Sequence, residues 1–190
     1  MGKWRKIGAA ALGIMATTEI SAAISRFEER KRLFAAAKAR AIELGRTFVV
    51  VGDPDAGVHT RMIRAYGCGD LCLDLTGCPS CPIAHAADLT RGPIAAVPAN
   101  SAVVFVSCVL EYTDDPQAAW QEILRMAGSP ENAFNVNVQP WTATAVLYDS
   151  AQFLIGGTEH DPTFQPMSAP RILAWTTAIS ASLILLMADD

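Results

Sequence analysis

Residues 103–128 read VVFVSCVLEYTDDPQAAWQEILRMAG, and this stretch decides the fold. It begins with an apolar run of strand length, VVFVSCVL, and continues through a polar turn. Asp114, Asp115 and Pro116 then supply the N-cap and the first-turn proline that start a helix. Apolar residues recur at helical spacing until Gly128 ends the helix. A buried strand that leads into an amphipathic helix is typical of a mostly parallel sheet covered on both faces.

The remaining elements alternate in the same way. Residues 25–44 carry strong helix formers and predict a helix that ends at Gly45. The pattern also predicts strands over 47–51, 71–75 and 133–138, a short strand inside 84–89 and a helix over 59–66. An α/β domain over residues 25–155 follows, with its ligands expected at the carboxyl ends of the strands.

Composition limits the function classes. The 190 residues have room for one core-forming domain with appendages. The chain is 51% apolar and 18% charged, and its net charge is −4. A weakly acidic chain carries no electrostatic footprint for nucleic acid, so we expect no nucleic-acid partner.

Both ends of the chain are hydrophobic. Residues 7–24 contain a single charge, and residues 172–188 contain none. Each segment approaches the ~20 residues that cross a bilayer. We expect 171–190 to be a membrane anchor, joined by a proline-containing linker over 156–170. We also expect 1–24 to be a hydrophobic helix with a membrane role.

Alternatives remain for both segments. The C-terminal segment also fits a buried helix, and the N-terminal one fits a signal peptide or a helix on the membrane surface. The basic residues between 26 and 40 place the α/β domain on the cytoplasmic side by the positive-inside rule.

Residues 100–128, NSAVVFVSCVLEYTDDPQAAWQEILRMAG, carry a family resemblance. They resemble the strand, turn and helix of a class I S-adenosylmethionine-dependent methyltransferase domain of the methyltransferase type 11 kind. With single residues in matching order, the resemblance extends over about residues 47–138. It implies a Rossmann-like sheet and S-adenosylmethionine as the cofactor.

The family's glycine loop corresponds to VVVGDPDAG in this chain. Such a loop brings backbone N–H groups close to the methionine part of the cofactor. The resemblance assigns this role to Gly52, Asp53 and Gly57. Pro54 and Ala56 stand where the family carries glycine, so the loop is degenerate.

Acidic and aromatic residues match the family's other positions. Asp74 corresponds to the carboxylate that accepts hydrogen bonds from the ribose hydroxyls, and Asp88 to the acidic residue near the adenine amino group. Glu111 and Tyr112 match the floor of the active site and are the candidate catalytic residues. For each of the four, a solvated loop or capping role is the alternative.

Four cysteines, Cys68, Cys72, Cys78 and Cys81, crowd the segment YGCGDLCLDLTGCPSCP. They offer the ligands of a tetrahedral zinc site, and a disulfide such as Cys78–Cys81 is a second alternative. Because Cys72 lies inside a predicted strand, we expect unligated thiols and no metal. A cytosol-facing domain would keep them reduced.

Two functions follow from these observations. The first is a membrane-associated S-adenosylmethionine-dependent methyltransferase-like protein acting on a small or lipid-like substrate, with reduced or no activity because of its degenerate loop. The second is a non-catalytic methyltransferase-fold subunit, structural or accessory, of a membrane-containing assembly such as a membrane complex or a virion. The expected partners are the lipid bilayer and other subunits of that assembly.

Overall fold

The computed structural model describes residues 3–55 and 65–136, together with residues 181 and 184. The chain divides into two compact units, one of residues 27–138 and one of residues 1–26 with 139–190. The α/β architecture lies in the first unit. Several predicted segments fall outside the described residues, namely 59–64 of the second helix, the linker 156–170, and the C-terminal anchor except for residues 181 and 184.

The first helix, α1, spans Lys3–Leu44. It ends where the sequence predicts, because Gly45 adopts a φ of +61° and the Arg46 N–H donates to the Ala41 carbonyl at 3.0 Å. It begins earlier than the predicted residue 25 and includes residues 7–24. No helix within the described residues combines the length and the apolar character that crossing a bilayer requires.

Within the part of the chain that the structure describes, five parallel strands form one sheet, which confirms an α/β fold. They are β1 (Thr47–Val51), β2 (Leu71–Asp74), β3 (Ala84–Ala86), β4 (Ala102–Ser107) and β5 (Ala133–Val136). Their order across the sheet is β3-β2-β1-β4-β5, and every neighbouring pair is parallel. The strand order reverses between β1 and β4, so a crevice between their carboxyl ends is the expected ligand position.

One face of the sheet packs against α1. Ala37 and Ala41 of the helix are buried against a cluster of strand side chains. The strand members of this cluster are Phe48, Val50, Cys72, Val103, Phe105 and Val136. Phe34 of α1 contacts the rings of Phe48 and Phe105, at centroid distances of 5.1 and 5.5 Å.

Helix α2 spans Pro116–Ala127 and packs against β4. Alternate residues of a strand point to opposite faces, so Val104 and Val106 face away from α1. Both are fully buried, as are Ile123 and Met126 of α2. Helix α2 therefore covers the opposite face of the sheet.

The apolar run of residues 103–110 does not form one strand. Strand β4 ends at Ser107, since Cys108 adopts a left-handed φ of +54°. A 3-10 turn, Leu110–Tyr112, follows and buries Leu110 completely. The change of direction turns the chain out of the sheet at its carboxyl edge, so the last three apolar residues pack in the turn between β4 and α2.

An ion pair on α2 holds the connector that precedes β4. Glu122, 7% exposed, pairs with Arg125 at 2.6 Å and accepts the Ile94 N–H at 2.8 Å. Arg125 also donates to the Val97 carbonyl at 2.9 Å. The hydrogen bond from Arg125 to the Glu122 carboxylate raises the pKa of the guanidinium above its usual value.

Candidate functional site

The loop after β1 lies tightly against the end of β4. Gly52 has a φ of +100°, and a Cβ atom on it would lie 2.9 Å from the Ser107 carbonyl oxygen and 3.0 Å from Val109 Cγ2. The Gly52 N–H donates to the Leu73 carbonyl of β2 at 2.9 Å. Gly52 is therefore required here because two parts of the protein's own backbone meet at this point.

Asp53 and Asp74 come together at the carboxyl ends of β1 and β2. The Asp53 N–H donates to Asp74 Oδ2 at 3.2 Å. Asp74 Oδ1 accepts two further bonds, from the backbone N–H and the hydroxyl of Thr76, both at 3.1 Å. A carboxylate has about four acceptor positions, so these three bonds leave one on Oδ2.

The Asp53 carboxylate turns back on its own loop. Its Oδ1 accepts the Asp55 N–H at 3.0 Å, which is the pattern of an Asx turn. This bond holds the first residues of the loop after β1 in a turn. Gly57, the other predicted loop residue, lies outside the described residues.

Asp88 follows β3 and is separated from Asp74 by only a short backbone link. The Ala87 N–H donates to the Asp74 carbonyl at 2.9 Å. Asp88 Oδ1 accepts the hydroxyl and the backbone N–H of Thr90, at 2.6 and 2.9 Å, and Oδ2 pairs with Arg91 at 2.9 Å. The Thr90 bonds, with the Arg91 charge as a smaller cause, lower the pKa of Asp88. The carboxylate thus caps its own turn.

The structure places Glu111 and Tyr112 in the 3-10 turn directly after the carboxyl end of β4. The Tyr112 N–H donates to the Val109 carbonyl at 2.9 Å, and its side chain is half-buried. The backbone of both residues therefore lies at the same edge of the sheet as Gly52 and Asp74.

Tyr66 is a site residue that the sequence reasoning did not identify. Its hydroxyl donates to the Asp53 carbonyl at 3.4 Å, and its ring lies 5.3 Å from that of Phe105. Burial raises the pKa of Tyr66 to about 12, against a lowering effect of its hydrogen bond with the Ser107 hydroxyl. A neutral phenol therefore fills the space between the ends of β1 and β4.

Arg30 and Cys108 form a second pair that the sequence did not predict. Arg30 of α1 donates from Nη2 to Cys108 Sγ at 2.7 Å, across 78 residues of chain. This bond joins α1 to the residue directly after β4. The apolar run of residues 103–110 gave no sign that the strand ends before Cys108. The contact of Arg30 with Cys108 depends on how α1 packs against the sheet, and a local sequence pattern does not predict that packing.

The expectation of unligated thiols is wrong for the four-cysteine cluster, by which we mean Cys68, Cys72, Cys78 and Cys81. The structure pairs Cys68 with Cys81 and Cys72 with Cys78. Cys72 is buried on β2 as predicted, but the loop after β2 folds back and brings Cys78 onto it. The suggested Cys78–Cys81 bridge is also not the pairing found. Cys108 is the remaining cysteine and is not in a disulfide.

Comparison of the chain with known protein families, with curated proteins and with solved structures finds no match.

Proposed function

We propose that residues 27–138 form a methyltransferase-like domain that binds S-adenosylmethionine at the carboxyl edge of its sheet. The strand order β3-β2-β1-β4-β5 supports this, because it is the order of doubly wound sheets that bind adenosine-containing cofactors. The residues that the family resemblance singled out, Gly52, Asp53 and Asp74, lie at the carboxyl ends of β1 and β2, and β1 borders the reversal of that order.

One observation carries the proposal, the bond between the Asp53 N–H and Asp74 Oδ2. An acidic side chain at the end of the second strand, about 20 residues after the glycine loop, is the usual acceptor for a ribose hydroxyl. Asp74 is half-buried and keeps one acceptor position on Oδ2. The ribose of the cofactor would occupy that position, and the Gly52–Asp53 backbone would lie along the methionine part.

Methyl transfer in such a domain is an in-line displacement. The acceptor atom attacks the methyl carbon, and the bond from that carbon to the cofactor sulfonium breaks, which leaves S-adenosylhomocysteine. The protein contributes orientation and, where the acceptor carries a proton, a base. Glu111 and Tyr112 are the residues we propose for the acceptor side, because the turn that holds them lies at the same edge of the sheet as Gly52 and Asp74.

Titration of the full-length chain with S-adenosylhomocysteine by calorimetry tests the proposal. We expect saturable binding, weakened about tenfold by Asp74→Asn through loss of about 1.4 kcal/mol. Glu131→Gln is the matched control, because it also removes one negative charge but lies in the exposed turn before β5, at the opposite edge. No heat at millimolar cofactor would overturn cofactor binding, and equal weakening by both substitutions would overturn the role of Asp74.

A second candidate function is a non-catalytic scaffold with the same architecture. The close approach of Ser107 and Val109 to Gly52 favours it, because the open side of this glycine is already occupied by the protein. The three bonds to Asp74 favour it as well, since the carboxylate is largely satisfied without a ligand. Failure of the titration above would select this function.

We further propose that the protein is attached to a membrane through residues 172–190, with residues 27–138 on the cytoplasmic side. The support is the uncharged sequence of residues 172–188 and the basic residues between 26 and 40. Deletion of residues 172–190 is expected to move the protein from the membrane fraction to the soluble fraction. Retention in the membrane fraction would transfer the anchoring role to residues 1–24 or to a partner subunit.

A further inference from the structure

We propose that the four-cysteine cluster, once reduced, binds one Zn²⁺ ion through the thiolates of Cys68, Cys72, Cys78 and Cys81. Such a site would act as a structural cross-link of the sheet edge. It is independent of cofactor binding and would be present in an enzyme or in a scaffold.

The sulfur positions suit a tetrahedral metal site. The sulfurs of Cys72, Cys78 and Cys81 all lie within 4.8 Å of one another, and the Cys68 sulfur is bonded to that of Cys81. Zinc–thiolate bonds of about 2.3 Å in a tetrahedron separate the sulfurs by about 3.8 Å. Two independent disulfides could form with the two sulfur pairs far apart. Binding of one ion by all four sulfurs requires the two pairs to lie close together.

The connection between β2 and β3 explains why a cross-link is needed. Adjacent parallel strands usually need a crossover of about a dozen or more residues, most often a helix. Here residues 75–83 join β2 to β3 without a helix, and Cys78 is the one residue among them that is buried. With so little apolar burial, this connection depends on its cysteines for a fixed position.

The local backbone presents the ligands from three directions. The Cys81 N–H donates to the Cys78 carbonyl at 3.0 Å, so the segment CPSC forms a tight turn that directs both sulfurs to one side. This two-residue spacing is a common zinc ligand pair. Cys72 approaches from β2, and Cys68 approaches from the segment before it.

The four-cysteine cluster also contacts the candidate cofactor loop. Cys72 Sγ is 3.9 Å from the Gly52 carbonyl oxygen, and Asp74 follows two residues later on the same strand. The cross-link therefore holds the strand that presents Asp74, and that strand contacts Gly52.

The disulfides must be reduced before the sulfurs can bind zinc. Each disulfide takes two electrons and two protons from a dithiol reductant, which becomes a disulfide itself. The four resulting thiols release four protons as they bind Zn²⁺ as thiolates. A reducing compartment does not maintain disulfides, so a cluster that must stay cross-linked there needs a metal in their place.

The test is the zinc content of the full-length chain after reduction by a dithiol, exposure to ZnCl₂ and removal of free metal. Elemental mass spectrometry should find about one zinc per chain. Oxidation by a small disulfide, which accepts the four electrons and becomes thiols, should release the ion as the four thiolates re-form two disulfides. Cys78→Ser and Cys81→Ser should lose the zinc. Cys108→Ser is the matched control and should keep it, because Cys108 lies outside the cluster.

Absence of zinc from the reduced wild-type chain would overturn the proposal and leave the cluster as two structural disulfides. Equal loss of zinc from Cys108→Ser would overturn the ligand assignment. If the serine variants do not fold, the ligands are identified instead from the visible spectrum of the reduced wild-type chain loaded with Co²⁺. Four thiolates around Co²⁺ give intense charge-transfer and tetrahedral visible bands, and their absence would contradict the site.

Discussion

The carbonyl oxygen of Ser107 lies 2.9 Å from the place that a Cβ atom on Gly52 would occupy. The end of β4 and the loop after β1 thus meet without room for a side chain. In a cofactor-binding loop the missing side chain of a glycine leaves space for the ligand. At Gly52 the end of β4 occupies that space. This contact makes Gly52 a structural position whether or not a cofactor binds.

Gly52→Ala is expected to lower the free energy of unfolding by about 2 to 4 kcal/mol, from backbone strain plus the clash. Gly92→Ala separates the two contributions. Gly92 has a similar φ of +106°, but its Cβ would meet nothing within 4 Å. Urea denaturation of the full-length chain measures both free energies of unfolding. Equal losses would show that the backbone at Ser107 moves away from the added Cβ atom without further loss of stability.

Glu122→Ala is expected to lower the free energy of unfolding by about 3 kcal/mol, because it removes the carboxylate partner of Arg125 and the acceptor of the Ile94 N–H. Glu43→Ala is the control, since Glu43 pairs with Arg40 at the same helical spacing but is 66% exposed. That change should cost less than about 1 kcal/mol. Thermal unfolding of the two variants would contradict this account if they lost the same stability.

Tyr66 should make stability depend on pH in the alkaline range. Its pKa is about 12 in the folded chain against the ordinary value of 10.0 for a solvated tyrosine, so the unfolded chain loses this proton first. The contribution is fully present below pH 10.0 and falls as the pH rises to about 12, by about 2 to 3 kcal/mol in all. Tyr66→Phe should remove this slope. Denaturation at a series of pH values would refute the assignment if both chains lost stability in parallel.

Asp115→Ala is expected to destabilise α2 by about 1 kcal/mol. The Asp115 side chain accepts the Ala118 N–H at 2.9 Å, which satisfies one of the free donors at the helix start. Asp114→Ala removes the same charge from the neighbouring exposed position and should be close to neutral. Circular dichroism during urea denaturation compares them, and the order of the two midpoints decides whether the cap or the charge matters.

Local signals in the sequence predicted the regular elements well. Strand β1 has the predicted bounds, α1 ends at the predicted Gly45, and Asp115 and Gly128 delimit α2 as expected. Each of these depends on side chains and backbone groups a few residues apart. The end of β4 was placed three residues too late, because an apolar run does not reveal a left-handed residue such as Cys108.

The candidate site was predicted in part. Gly52, Asp53 and Asp74 do come together, since parallel strands bring their carboxyl ends to one edge. Asp88 lies close to Asp74, but its carboxylate accepts hydrogen bonds from Thr90 in its own turn. The cysteine pairing was not predicted, because a connection without a helix can fold back in several ways.

The sequence by itself determined an alternating α/β chain, the end of α1 and both ends of α2, because hydrophobic period, capping residues and glycine act over one or two turns. Only the tertiary structure decided what the side chains at the end of β4 contact. The bond from Arg30 to Cys108, the place of Tyr66 between two strand ends and the lack of space at Gly52 all join residues far apart in the chain. Such contacts follow from strand order and helix docking, which are set by the packing of the whole core.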